Sequence, residues 1–331
     1  MGTGSVDAVV VHYNRLDLTT RCVEALAQDQ GPLRSVSIVD SGSTPPLGEP
    51  HVSAWARILR REHTRGSPID LFVVSLADNV GYAEGNNRGL ALRVDEGADF
   101  YLVLNNDAYV SPGALQAMVE TAQESGAGMI TPAVYRADAL DMVDRFGLTL
   151  TRSGAGYDRR HASDGPLLCP SGCAALYRRD VVLDLMSDPE GFFDRRFGAY
   201  AEDLDTGLRA RARGYGVAFA GEATILHEGS ATFGRSSERA HRLRHRNTIW
   251  AIAKNFSLGL LFRCGISLGL GQLAGVANAV RRGRLRATAR GKLEGFAACW
   301  RIRRSAARHS RLADARMLDP RFWIPRGPDP G

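Results

Sequence analysis

Residues 6–44 read VDAVVVHYNRLDLTTRCVEALAQDQGPLRSVSIVDSGST. The run Val6–His12 is largely apolar, as expected of a strand buried on both faces of a parallel sheet. From Leu16 to Gln28 the apolar residues take up helical spacing (Leu18, Cys22, Leu26), with Asp17 near the start. A second apolar run, Val36–Val39, ends in the turn-forming residues Asp40-Ser41-Gly42-Ser43. Strand, helix and strand in this order make a βαβ unit, the repeating piece of an open, mostly parallel sheet.

The same alternation continues outward from that unit. Phe72–Leu76 is a third strand and leads into Asn79-Val80-Gly81-Tyr82, after which residues 83–94 have a helical pattern. Phe100–Leu104 is a fourth strand, stopped by Asn105-Asn106-Asp107. A helix over 113–124 and a strand over Met129–Val134 follow. Residues 136–168 are rich in Gly, Asp and Ser and are expected to form a loop or hairpin over the site. Leu167–Tyr177 predicts a strand holding a tight turn at Pro170-Ser171-Gly172, and Val217–Leu226 a last pair of short strands. In sheets of this kind ligands bind beyond the carboxyl ends of the strands. Asn14, Asp40, Asn79 and Asp107 are all expected there.

The chain has 331 residues and is 44% hydrophobic, enough for a full α/β core. Five scattered cysteines without CxxC spacing argue for a reducing compartment, and against both a disulfide framework and a zinc site from Cys169, Cys173 and His161. No cationic start precedes an apolar run, so no secretory signal is expected. The net charge of +6 is unevenly spread. Residues 235–311 hold 18 Arg and Lys against two acids, Glu238 and Glu294, which leaves the first 234 residues acidic. The two parts need separate explanations.

Two acidic motifs carry the chemistry. Asp107, flanked by Asn105 and Asn106 at a strand end, offers hard oxygen ligands suited to Mg²⁺ or Mn²⁺; the same residues also suit a plain Asx-turn. Glu202, Asp203 and Asp205 open a helical pattern that ends near Gly214, where the positive end of the helix dipole favours an ionised general base. Helix capping is the other reading of that cluster, with Asp205 pairing Arg209 at i,i+4. His227 closes a strand-like run as a further metal ligand or as a core histidine. Asp40 can accept a hydrogen bond from a base or ribose, or cap its own turn.

Taken in order, VVVHYNR (9–15), IVDSGST (38–44), NVGYAEGNNRGL (79–90), LVLNNDAYVSPGAL (102–115), PSGCAALYRRDV (170–181), GFFDRRFGAYAEDLDTGLRARARGY (191–215) and ILH (225–227) resemble a family 2 glycosyltransferase of the bacterial rhamnosyltransferase-like group. The resemblance covers roughly residues 6–255. It implies a GT-A-type, Rossmann-like α/β fold: an open, mostly parallel sheet flanked by helices. It implies an inverting transferase for a nucleotide-diphosphate sugar, with dTDP-rhamnose or a UDP sugar as the donor and a cell-envelope or lipid-linked glycan as the acceptor. Asp40 would contact the pyrimidine, with Tyr13 and Asn14 near the nucleotide. The segment Asn79–Gly89, including Gly81, Gly85 and Asn86, would pack against ribose and diphosphate. Asp107 would hold the divalent ion, with His227 as an additional ligand or a diphosphate contact. Asp203 would be the base, with Glu202 and Asp205 positioning the acceptor or the helix. The family's usual first metal-motif acid is Asn105 here, so the ion would rest on Asp107 and His227. A rival reading is a sugar-nucleotide nucleotidyltransferase, although residues 8–20 offer only Arg15 for a phosphate-binding loop. A non-catalytic membrane scaffold is the other, and the intact Asp107, Asp203 and His227 count against it.

The expected domains are a catalytic unit over 1–255 (nucleotide-sugar half to about 110, acceptor half after it), a basic helical extension over 256–311 and a tail. Residues 256–280 carry one charge, Arg263. Leu285, Ala289, Leu293, Phe296 and Trp300 then share one helical face, with Arg282, Arg286, Arg290 and Arg301 largely elsewhere. Such a helix suits an anionic membrane surface, which predicts a cytoplasmic protein bound to the inner face of the cell membrane. Packing on the catalytic unit is the alternative. Nucleic acid is a weaker partner, lacking aromatic platforms or a recognised module.

Overall fold

The computed structural model describes residues 4–29, 31–62, 68–161, 163–229, 237–306 and 311–321. Residues 307–310 of the expected extension and 322–331 of the expected tail lie outside the described residues. The first half runs β1 (Val6–His12), α1 (Leu16–Gln28), β2 (Leu33–Ser41), α2 (Glu49–Glu62), β3 (Asp70–Leu76), α3 (Gly81–Ala91), β4 (Phe100–Asn105), β5 (Ala108–Val110) and α4 (Ala114–Ser125). The second half runs β6 (Met129–Arg136), β7 (Ala139–Arg145), β8 (Leu148–Leu150), β9 (Gly156–Asp158), β10 (Ala174–Arg178), α5 (Arg179–Met186), α6 (Glu202–Ala212) and β11 (Val217–His227). Three long helices close the chain: α7 (Glu238–Asn255), α8 (Leu258–Arg281) and α9 (Leu285–Ser305).

The main sheet has the order β3-β2-β1-β4-β10-β6-β11-β5, with β7 added on β6. The β3-β2-β1-β4 half is parallel throughout, and β10 enters antiparallel between β4 and β6. The inner parallel strands β1, β2 and β4 are nearly all buried, as a sheet covered on both faces requires, while the edge strand β3 is partly exposed. One face packs on α1, α2 and α4 through Val10, Leu26, Ile38, Trp55 and Leu115. The other packs under α3 and α5 through Val9, Tyr101, Tyr177 and Phe192. Glycine sets the close approach of α3 to the sheet. A Cβ at Gly89 would lie 2.3 Å from Val9 Cγ1, and one at Gly85 would lie 2.9 Å from the Val11 methyls.

Three sequence expectations are corrected. Residues 217–227 form one strand with a register shift between Ala220 and Thr224, not a pair, because both ends pair with the same neighbour β6. The second strand extends through Asp40 to Ser41, so Asp40 lies within the sheet rather than past its edge. The boundary at residue 255 does not separate two cores. Leu150, Phe197 and Leu208 share one apolar cluster with Phe256, Leu260, Ile302, Leu312 and Leu318.

Candidate active site

A cavity of about 510 Å³ opens at the carboxyl ends of the central strands. β1 delivers Tyr13 to it, and the β4–β5 turn delivers Asn105, Asn106 and Asp107. The start of α3 brings Asn79, Gly81 and Tyr82; α6 brings Glu202 and Asp203; β11 brings His227. These residues are far apart in sequence, and the crossovers of the sheet bring them together.

Asp203 is held from two sides. Its Oδ2 accepts the Gly172 N–H at 2.8 Å and its Oδ1 accepts the Leu204 N–H at 2.7 Å. The Pro-Ser-Gly turn is fixed in its own right: the Tyr82 hydroxyl donates to the Gly172 carbonyl, and Arg145 Nη1 donates to Ser171 Oγ at 3.1 Å. Burial raises the Asp203 pKa above the usual carboxylate range, and the two N–H donors pull against that rise. Burial and the Asp203 charge push the neighbouring Glu202 well above its ordinary value. Among the described residues, Glu202 Oε2 is buried without a hydrogen-bond partner. Of this pair Glu202 is the harder to ionise, because among the described residues only its own backbone N–H offsets its burial, whereas two N–H groups hold Asp203.

The backbone leading into α6 is strained, with Tyr200 at φ 69° and Ala201 at φ 63°. Asn247 of α7 holds it in that shape. The fully buried Asn247 amide shares its two N–H groups among the carbonyls of Phe197, Ala199 and Tyr200, at 3.1, 2.9 and 2.7 Å. Nothing in the sequence pointed to Asn247, because its partners are backbone atoms about 50 positions upstream.

His227 lies at the other acidic motif. Its Nδ1 is 2.8 Å from Asp144 Oδ2, and its buried Nε2 lies 3.3 Å from Asp107 Oδ1. Burial opposes a charge on this ring, but the Cys173 sulfur and the Asp107 and Asp144 carboxylates outweigh it and raise its pKa to about 12. A carboxylate on Nδ1 with Nε2 facing Asp107 is the arrangement of a metal-ligating histidine, and an ion bound there would take the place of the Nε2 proton. Among the described residues no three His, Cys, Asp or Glu side chains converge as a complete metal cage. Asp107 and His227 would supply two ligands to a Mg²⁺ or Mn²⁺ ion, the rest coming from substrate phosphates and water.

Five expected site residues are not brought to the cavity lining. Asp40 is fully buried and accepts the Ser43 and Leu47 N–H groups, so it organises its own turn. Asn14, at φ 58°, accepts the Thr44 N–H and so ties two loops together. Gly85 packs on Val11, and the buried Asn86 donates to the Tyr82 carbonyl. Asp205 anchors the helix instead of facing the cavity: it pairs with Arg209 at 3.0 Å and Lys254 at 2.8 Å, and accepts from Asn255. Sequence reading missed Asp144, Arg145, Tyr157, Asp158, Arg160, Arg244 and Thr248, which also line the cavity. Most of these lie on the 136–168 segment, expected to cover the site but too irregular to yield named residues.

This α/β sheet, with an acidic turn after β4 and a carboxylate at the start of α6 facing one cavity, is that of the GT-A class of fold. The sequence profile of Glycosyl transferase family 2 matches residues 7–186, more than half of the chain, and that of Glycosyl transferase family group 2 matches 101–287. The chain belongs to glycosyl transferase family 2. An uncharacterized protein of Mycobacterium tuberculosis is 31% identical over 51% of this chain and 60% of its own length. The chain thus spans about 60% of the length of that curated relative. The N-acetylglucosaminyl-diphospho-decaprenol L-rhamnosyltransferase of M. tuberculosis is 26% identical over 67% of this chain and 76% of its own. Among solved structures, S. aureus TarS 1-349 superposes with a TM-score of 0.50 at 12% identity, over 89% of this chain and 92% of that one. GalNAc-T7 superposes with a TM-score of 0.52 at 11% identity, over 76% and 51%. At such identities the superpositions speak for the fold alone.

Proposed function

We propose that this chain moves a sugar from a nucleotide-diphosphate sugar to a hydroxyl of a glycan or lipid-linked acceptor, with inversion at the anomeric carbon. The observation that carries the proposal is that Asp203, half-buried with a raised pKa, opens into the same cavity as Asp107 and His227. A sugar hydroxyl is a poor nucleophile, and its proton passes to the Asp203 carboxylate as its oxygen bonds to the anomeric carbon. The bond from that carbon to the diphosphate oxygen breaks, and the electron pair leaves with the nucleoside diphosphate. A positioned base contributes about 10²–10⁴-fold to such a step. Attack from the face opposite the leaving group accounts for inversion. Asp107 and His227 would hold Mg²⁺ or Mn²⁺, which supplies positive charge to the departing diphosphate. Tyr13, Asn79, Gly81, Asn105 and Asn106 line the cavity as donor contacts.

The curated relative named as a rhamnosyltransferase supports dTDP-rhamnose as the first donor to try and a diphosphate-linked lipid glycan as the acceptor class. The exposed apolar face of α8 and α9, beside their arginines, supports a site of action at the inner face of the cell membrane. Thermal unfolding of the full chain with dTDP-rhamnose and a panel of UDP sugars, with and without Mn²⁺, tests the donor reading. Stabilisation by one donor that needs the metal, and that Asp107→Ala abolishes, is the expected result. No stabilisation by any nucleotide sugar would overturn it.

A further inference from the structure

Arg244 and Thr248 lie one helical turn apart on α7, and both line the cavity. The Arg244 guanidinium stacks on the Tyr200 ring, 4.7 Å from its centroid. Among the described residues it forms no ion pair with a carboxylate, whereas Arg145 in the same cavity is paired with Asp144 and Asp158. Three residues before Arg244 on α7, His241 Nε2 lies 2.9 Å from Thr288 Oγ1 of α9, one turn after Arg284. Burial, and then the charges of Arg284, Arg244 and Arg282, hold the His241 pKa below its ordinary value. Arg282 and Arg284 lie in the α8–α9 connection, flanked by the exposed Val280 and Leu285. This α7–α9 contact joins the cavity-lining stretch of α7 to a basic connection with an apolar surface beside it.

An unpaired guanidinium with a hydroxyl one turn away matches the oxygens of a phosphate group. We propose that Arg244 and Thr248 form a phosphate subsite for an amphiphilic acceptor, holding its phosphate or diphosphate while its apolar part lies toward the α8–α9 connection. The subsite rests on the glycosyl-transfer reading of the cavity and names the chemistry of the acceptor. It is separate from the Asp107 and His227 end, which serves the donor diphosphate.

The test measures binding of geranylgeranyl diphosphate and of geranylgeraniol to the full chain in EDTA, which removes metal-dependent diphosphate binding. Arg244→Gln is expected to weaken the diphosphate by about tenfold or more and to leave the alcohol unchanged, as befits a lost charge-assisted contact. Thr248→Val gives a smaller loss of the same kind. Arg244→Lys, which keeps the charge but loses the stacking fork, falls between. Affinity for dTDP or UDP with Mn²⁺ stays within about twofold, on the same arithmetic. Unchanged diphosphate binding in Arg244→Gln overturns the subsite. An equal loss of nucleotide binding also overturns it and assigns Arg244 to the donor. Weaker sedimentation with anionic vesicles alone, diphosphate binding being intact, overturns it by making Arg244 a headgroup contact. Failure of the glycosyl-transfer reading is distinguishable, because it abolishes nucleotide-sugar binding by the unaltered chain.

Discussion

Asp203 combines a raised pKa with a fixed direction, since Gly172 and Leu204 hold its two oxygens. Asp203→Asn keeps size and hydrogen bonding but accepts no proton. Turnover should fall by at least about 10²-fold with donor affinity retained, as single-turnover kinetics beside calorimetry would show. A base must be ionised, so kcat should rise with pH through a value above the ordinary aspartate pKa of about 3.9. An acid limb at or below that value would contradict the assignment. Asn247 acts one step back, holding the strained turn at Tyr200 and Ala201 that aims α6. Asn247→Leu should lower kcat by about tenfold or more while donor affinity changes little, because misplacing a reacting group is costly. An equal rise in KM with kcat unchanged would deny Asn247 that role.

At the scale of elements, α6 is fastened to α7 by a buried ionic cluster. Lys254 Nζ lies 3.0 Å from Glu190, 2.8 Å from Asp194 and 2.8 Å from Asp205. Lys254→Met leaves buried carboxylates without their shared cation and should cost about 3–5 kcal/mol in chemical denaturation. The cluster also sets an acid limit. Burial works against the Asp194 carboxylate, but Arg196 and Lys254 overcome it and hold its pKa below the ordinary value. Stability from a depressed carboxylate is complete above its unfolded pKa of about 3.9 and is lost as pH falls through the folded value. The melting temperature should therefore drop below about pH 4, and less steeply in Asp194→Asn. α9 meets α7 through small residues: a Cβ at Gly291 would lie 2.3 Å from the Arg242 carbonyl oxygen. Gly291→Val should thus loosen the helix pair, seen as faster amide exchange along α9.

At the scale of the molecule, the same packing turns the large apolar side chains of the last two helices outward. Phe262 is 89% exposed, Ile266 84%, Leu293 71% and Trp300 70%. Among the described residues α8 is the one helix long and apolar enough to cross a membrane, a criterion that buried core helices and signal sequences also meet. Removing everything after residue 255 would strip Phe256, Leu260 and Ile302 from the shared core. Point substitutions test the surface more cleanly. Phe262→Ser with Trp300→Ser should weaken co-sedimentation with anionic liposomes at every salt concentration. Replacing Arg282, Arg286 and Arg290 by Gln should weaken it most at low salt, since only the charge contribution is screened. A full chain that stays in the supernatant at low salt would refute membrane binding.

Hydrophobic periodicity alone determined the parallel half of the sheet, because a strand buried on both faces writes its burial directly into consecutive residues. The acidic turns at 105–107 and 202–205 were legible for a similar reason: each is local, with its residue types and its strand or helix end adjacent in the chain. The i,i+4 spacing paired Asp205 with Arg209, as the structure has it, but that Asp203 opens into the cavity while Asp205 lies under the helix depends on helical rotation against a neighbour. Only the tertiary structure decided that. It also decided that Asp40 caps a turn, that Asp144 sets the His227 ring and that Asn247 and Arg244 belong to the site. Their partners lie from a few to more than 80 residues away, and hydrogen-bond and charge contacts over such spans leave no periodicity to read. The last helix shows the same limit. Its spacing gave an apolar face with arginines elsewhere, and only the position of α7 decided that Gly291 and Gly295 pack inward while Leu293 and Trp300 stay exposed.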